Sequence, residues 1–254
     1  MSDELKGGVE ALMKPFTDLL DKLAGPAAEE LGLTLQDHVR MFRLKRQIRL
    51  FGRVKEMLAE ARIEPSHVPF KLLLPMVESA AIEENDDLQD KWAAMLANAA
   101  GANVGLGVEP IFPLILKELD TQEVKFLDEL YEESTRKRVK HRAEWPKFIN
   151  VGYPHLNIYE LKNLYLQANY PSDPIISRRS GLNPAQEQQF RLSVDIILRN
   201  RLLDQLYDLV ENSDEQRQEV GSIYRMSALG ARFIQACRTP KSGEHESDGS
   251  ENVI

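Results

Sequence analysis

The N-terminal half of the chain is a series of helical apolar stripes broken at glycine and proline. Residues 3–23 place Leu5, Val9, Leu12, Phe16, Leu19, Leu20 and Leu23 at helical spacing. Gly7, Gly8 and Pro15 weaken that helix, and Gly25-Pro26 ends it. A longer helix is predicted over 27–61, with Met41, Leu44, Ile48, Phe51, Val54 and Leu58 forming one stripe at steps of three or four. Gly32 and Gly52 are its weak points. A turn holding Pro65 and Pro69 leads into a short helix over 70–82, with a bend expected near Pro75. Asn85 has the side chain of an N-cap for an alanine-rich helix over 86–100, and Asp86, Asp87 and Asp90 suit the positive end of its dipole. Residues 101–113 read as a helix C-cap, a turn and a loop.

The C-terminal half mixes periods. Asp120-Thr121 caps a helix marked by Val124, Phe126, Leu127, Leu130 and Tyr131. Residues 135–156 lose the apolar period and read as a long, basic, polar insertion. Asn157 caps a helix to about residue 168. Asn183-Pro184 starts another that ends near Asn200, with the cap and the proline at their preferred places. Residues 202–210 and 220–226 read as two short strands, and Ser227 caps a last helix carrying Leu229, Phe233, Ile234 and Cys237. Helix, helix, hairpin, helix is the order of a winged-helix-like domain. The predicted class is therefore mainly α with a little β. An N-terminal amphipathic helix (1–25) precedes a helical domain (26–118). A winged-helix-like domain follows (119–237, with the insertion 135–156), and the acidic, aperiodic tail 238–254 should be disordered.

Composition narrows the function classes. Apolar residues at 43% and charged residues at 28% are ordinary for a globular protein. A net charge of −8 argues against a general nucleic-acid coat but leaves room for local basic patches. The single cysteine, Cys237, excludes an intramolecular disulfide framework and fits a reducing cytoplasm. The acidic start, Met-Ser-Asp-Glu, lacks the features of a secretory leader. The two most apolar windows, 72–82 and 104–116, are too short for a membrane span and contain proline and glutamate, so no integral membrane segment is expected.

Two phrases carry a resemblance. Residues 87–100 run acidic-Leu-x-x-x-Trp-Ala-x-x-Leu-Ala-Asn-Ala, with Trp92, Leu96 and Asn98 set among alanines. Residues 224–237 close the chain's ordered part with Leu229, Gly230 and Phe233. Both resemble the bacterial abortive-infection alpha family, which overlaps a family known as a domain of unknown function. The resemblance covers about residues 10–237. It implies a role in defence against phage and supplies no catalytic residue.

Three cationic features compete for a function. Between residues 40 and 62 there are eight Lys or Arg and two acids, Glu56 and Glu60. At about 100° per residue, Arg46, Arg49 and Arg53 share one arc, read as opposite the apolar stripe. They are placed to meet successive phosphates or the acidic segment 78–90. Arg136, Lys137, Arg138, Lys140 and Arg142, with Trp145 and Phe148 close behind, form the densest run, read as an exposed loop on which bases could stack. The helix from Pro184 offers Gln186, Gln188, Gln189, Arg191 and Arg199, yet Phe190, Val194, Ile197 and Leu198 commit much of it to the core. Arg136-x4-His141 matches the spacing of HEPN ribonucleases, but Lys137 follows the arginine and the run is too basic to bury.

No His-x3-His or Cys-His pairing supports a metal, and no phosphate-binding loop or nucleophile elbow supports a cofactor or covalent catalysis. No cofactor or metal is therefore expected. The leading expectation is a non-enzymatic, cytoplasmic phage-defence protein acting through a protein partner or as a homo-oligomer. A nucleic-acid-binding winged-helix module is second and an HEPN-like ribonuclease third. A membrane-surface role for residues 3–23 is disfavoured by their acidity.

Overall fold

The computed structural model describes Lys22 and residues 41–101, 107–144, 153–171, 182–206 and 223–241; the side chains of 41–42 and 141–144 lie outside the description. The expected helix 3–23 apart from Lys22, the start of the helix 27–61, Trp145 and Phe148, the hairpin connection and nearly all of the acidic tail therefore fall outside the described residues. The protein is mostly helical, with a small antiparallel sheet. It divides into two compact units. The first comprises residues 1–117 together with 236–254, and the second is 118–235.

In the first unit, α1 (Met41–Glu60), α2 (Phe70–Ile82) and α3 (Asp86–Ala100) pack on one another. Their common core holds Leu50, Phe51, Val54, Met57, Leu58, Leu73, Met76, Val77, Trp92, Met95 and Leu96. The small side chains of Ala93, Ala94, Ala97 and Ala100 are buried too, which leaves room for neighbouring helices to approach around the large Trp92. Asn85 caps α3 by accepting from the amides of Asp87 and Leu88.

α1 stops in a Schellman motif: Ile63 N–H reaches Leu58 O (2.9 Å) and Arg62 N–H reaches Ala59 O (3.1 Å). Arg62 takes the left-handed conformation (φ 55°) usually left to glycine. Gly101 caps α3 at φ −90°, outside the left-handed region. What it provides is room, since a Cβ there would lie 3.2 Å from Ile63 Cγ2. A short helix, α4 (Phe112–Glu118), buries Phe112, Pro113, Ile115 and Leu116.

The second unit starts with α5 (Thr121–Glu144). Its first turn is closed by Asp120 Oδ1 accepting from Thr121 N–H and by Glu123 Oε2 accepting from Asp120 N–H. β1 (Leu156–Asn157), α6 (Ile158–Asn169), α7 (Pro184–Arg199), β2 (Leu203–Leu206), β3 (Ile223–Met226) and α8 (Ala228–Ala236) follow. Asn157 with Glu160, and Asn183 with Gln186, form capping boxes, and Pro184 occupies the first turn of α7. The strands lie in the order β1-β3-β2, all antiparallel, with Leu156 opposite Tyr224 and Leu203 opposite Met226. Phe126 of α5, Tyr165 of α6 and Phe190 of α7 meet edge to face. Burial pushes the Tyr165 hydroxyl up to about 12.

Three expectations are corrected. The basic segment is no loop in its first part: residues 135–144 continue α5 for a total of 24 residues. Arg and Lys are good helix formers, and Glu133 supplies pairs to Arg136 and Lys137 at three and four residues' distance. The end of the supposed insertion is a strand, β1, so the sheet has three strands and not two. The apolar face of α1 is also rotated. Gln47, Leu50, Phe51, Val54, Met57 and Leu58 are buried, whereas Leu44 and Ile48 are only half-buried.

Candidate functional site

The rotation of α1 decides what its arginines do. At ~100° per residue, the row Arg46, Arg49, Arg53 is centred ~120° from the middle of the buried face, on its rim and not opposite it. That rim meets the acidic start of α3. Arg46 donates to Asp86 (2.5 Å) and to the Glu84 carbonyl (2.6 Å). Arg49 spans Asp86 (3.0 Å) and Asp90 (3.2 Å). Arg53 reaches Asp90 (3.4 Å) and Glu56 (2.6 Å). The hydrogen bond from Arg46, joined by the charges of Arg49 and Lys45, holds the Asp86 carboxyl below its usual range against a smaller opposing effect of burial. Arg53 is pushed up by Glu56 and Asp90.

Beneath this network lies a residue the sequence reading missed. Gln89, almost fully buried, donates its amide to Arg46 O (3.2 Å) and Ala80 O (3.0 Å), joining all three helices. Its Oε1 is buried without a hydrogen-bond partner. Its place one helical turn before Trp92 and Ala93, on the same face, was the available signal.

The second cationic group is spread around α5. Arg136 is 77% exposed and pairs with Glu133. Lys137 pairs with Glu160, the capping-box residue of α6. Arg138 lies 5.3 Å from the centre of the Tyr153 ring, a cation–π contact. Lys140 is exposed, and the side chains of His141 and Arg142 lie outside the described residues. The helix removes one argument against the HEPN spacing, namely that Arg136 and His141 sit on a loop. Two observations still weigh against it: Arg136 points to solvent with Glu133 as its partner, and Lys137 follows it.

On α7, Gln186 serves the capping box and Gln189 accepts from Tyr170 (2.8 Å). Arg191 is held by Glu187 (3.1 Å), and Arg199 by Glu118 (2.8 Å). The rest of the outward side carries Gln188, Leu192 at 60% exposure, and Asp195. Inside, Ser193 donates to Glu123 (2.6 Å), a buried pair that ties α7 to the cap of α5.

The residues of the two signature phrases have structural work. Trp92, at 2% exposure, and Leu96 are core. Asn98 Nδ2 donates to Ala94 O (2.9 Å), Ala236 O (3.0 Å) and Arg238 O (2.7 Å). Phe233 is buried and Leu229 half-buried. Ser227 Oγ accepts from Gly230 N–H (2.8 Å) and donates to Arg201 O (2.6 Å), capping α8 and tying it to the end of α7. Gly230 is required because a Cβ there would stand 2.1 Å from Leu202 O.

Among the described residues, no group of three or more His, Cys, Asp or Glu is placed to hold a metal ion, and no helix is long and apolar enough to cross a membrane. These features define a class: a mostly helical protein with a small antiparallel sheet, whose signature residues pack, cap and fasten. The family model described as abortive infection alpha matches residues 37–237, most of the chain, and the protein belongs to that family. Neither the curated proteins nor the solved structures give a match.

Proposed function

We infer that the chain serves abortive infection against phage as a non-enzymatic module, acting through protein contacts or self-association. The observation that carries this reading is the engagement of its cations. Arg46, Arg49 and Arg53 are bound by Asp86, Asp90 and Glu56, so a phosphate would have to displace carboxylates already in place. A net charge of −8 adds a general repulsion toward polyanions.

The second unit is read as a winged helix. The order α5, β1, α6, α7, β2, β3 and a sheet ordered β1-β3-β2 support that reading. In such a domain α7 is the helix that would enter a DNA groove. Its charged residues balance, Glu187 and Asp195 against Arg191 and Arg199, and Leu192 stands exposed among them. That surface suits a protein partner better than a phosphate backbone.

One observation favours a second reading, a nucleic-acid-binding module. The cations of residues 136–142 lie on a continuous helix with Arg136 largely exposed, which gives them a fixed spacing.

The test combines light scattering of the purified full chain with electrophoretic shifts on duplex DNA, single-stranded DNA and RNA at low salt. The expected result is a concentration-dependent mass above the monomer, or a co-purifying protein, with no shift. A shift that weakens steeply with salt, and is lost on neutralising Arg136, Lys137 and Arg138, would replace this reading with the second. RNA cleavage by the parent that is abolished in His141→Ala would promote the ribonuclease.

A further inference from the structure

The first unit is discontinuous in sequence: the chain leaves it after Lys117 and re-enters it at Ala236, with the second unit inserted between. Of the returning stretch, residues 236–241 are described. Ala236, the last residue of α8, and Cys237 are buried, while Thr239 and Lys241 are exposed. The last carbonyls of any helix lack partners within it. Here Ala236 O, and Arg238 O just beyond, receive theirs from Asn98 Nδ2 on α3.

We propose that residues 236–241 form a releasable strap on the first unit, with Asn98 as its clasp. An amide nitrogen has two hydrogens, and this one lies within reach of three carbonyls. The third, Ala94 O, belongs to Asn98's own helix, one turn back. When the strap lifts, Asn98 keeps that bond, and the two freed carbonyls meet water. Opening exposes the buried Ala236 and Cys237 and leaves Asn98 its bond to Ala94 O. The role assigned to Asn98 is positioning, not catalytic.

Cys237 makes the strap measurable, because it is buried in the strap and is the single cysteine of the chain. The experiment follows labelling of the full-length protein by a thiol reagent, with helical circular dichroism recorded on the same samples. In the parent, labelling should proceed well below the urea unfolding transition and depend only weakly on urea, as local opening does. A labelling rate that rises with the full urea dependence of unfolding would overturn the proposal without any variant being made.

Asn98→Asp removes the donor at nearly constant size, and Asn98→Leu replaces it with an apolar group of similar bulk. Both should label at least about tenfold faster than the parent, equivalent to about 1.4 kcal/mol, with the helical signal retained. Labelling of Asn98→Leu at the parent rate would show that bulk alone holds the strap, and the clasp would be refuted.

Discussion

Gly230 presses its α-carbon face against the carbonyl of Leu202, so that a Cβ would lie 2.1 Å from that oxygen and 2.9 Å from the carbonyl carbon. The same oxygen accepts from Ser227 N–H at 3.2 Å, which pins it from the other direction. Neither partner is the end of a flexible side chain. Gly230→Ala should therefore cost about 2–3 kcal/mol, at the upper end of overpacking effects. A fall in the urea midpoint at unchanged slope measures it. A midpoint equal to the parent's would mean that α8 can slide outward freely, contrary to its capping by Ser227.

Trp92 sits on the alanine-rich helix α3 at 2% exposure, within a core that includes Phe51, Val54 and Leu58 of α1. Truncation to alanine leaves a cavity among small neighbours that have no longer side chains to fill it. The expected cost is about 3–5 kcal/mol. If Trp92→Ala melts with the parent, Trp92 is not the keystone of this unit and its place in the signature phrase needs another explanation.

What was legible in the sequence were the features with local causes. Asn85, Asn157, Asn183 and Ser227 all cap the helices their positions announced, because capping is decided by a few neighbouring residues. The mostly helical class and the family followed from the same local patterns. What stayed hidden depended on partners far away in sequence. The face of α1 that is buried includes Gln47 and omits full burial of Leu44 and Ile48, so the stripe read from apolar residues alone was rotated. That rotation moved Arg46, Arg49 and Arg53 from an open face to the rim beside Asp86 and Asp90. The pairing was one of the two roles open to them in the sequence, and only the register of α1 on α3 distinguishes them. Strand β1, at two residues, is defined by its pairing with β3 and leaves almost no trace in a sequence window. The helical continuation to Glu144 lacked an apolar period because that part of α5 faces solvent, with Arg136, Arg138, Val139 and Lys140 exposed.

Two arginines occupy positions that favour glycine. Arg62 and Arg201 both have φ 55° and both close Schellman motifs. In the second, Leu202 N–H reaches Ile197 O (3.0 Å) and Arg201 N–H reaches Leu198 O (2.9 Å). The left-handed conformation costs an L-residue roughly 1–2 kcal/mol, and part of the relief is offset by glycine's freer unfolded chain. Arg62→Gly and Arg201→Gly should each raise stability by about 0.5–1 kcal/mol, read as a higher urea midpoint. A loss in either variant would mean that the arginine side chain contributes more than its backbone strain costs.

Among the described residues, three carboxylates held low contribute to the response to acid. Asp86 is held low chiefly by its hydrogen bond from Arg46. Glu187 is held low first by Lys162 and then by Arg191, with burial opposing. For Glu160 burial is the largest single influence and acts upward, but the hydrogen bond from Lys137, the Asn157 amide and the charge of Lys137 together outweigh it. Each group thus binds its proton more weakly in the folded chain than in the unfolded one. The stability it contributes is fully present above the unfolded values, 3.8 for aspartate and 4.5 for glutamate, and is lost as pH falls through the lower folded values. The urea midpoint should therefore vary little from pH about 7 to about 5 on account of these groups and fall below about 4.5. Glu160→Gln tests the assignment. It keeps the size of the cap but removes the titrating charge, so it should lower the midpoint near pH 7 and shrink the acid-induced fall. An acid limb as steep in Glu160→Gln as in the parent would show that Lys137 and Glu160 do not contribute to the acid response as a pair, and would leave Asp86 and Glu187 as its source.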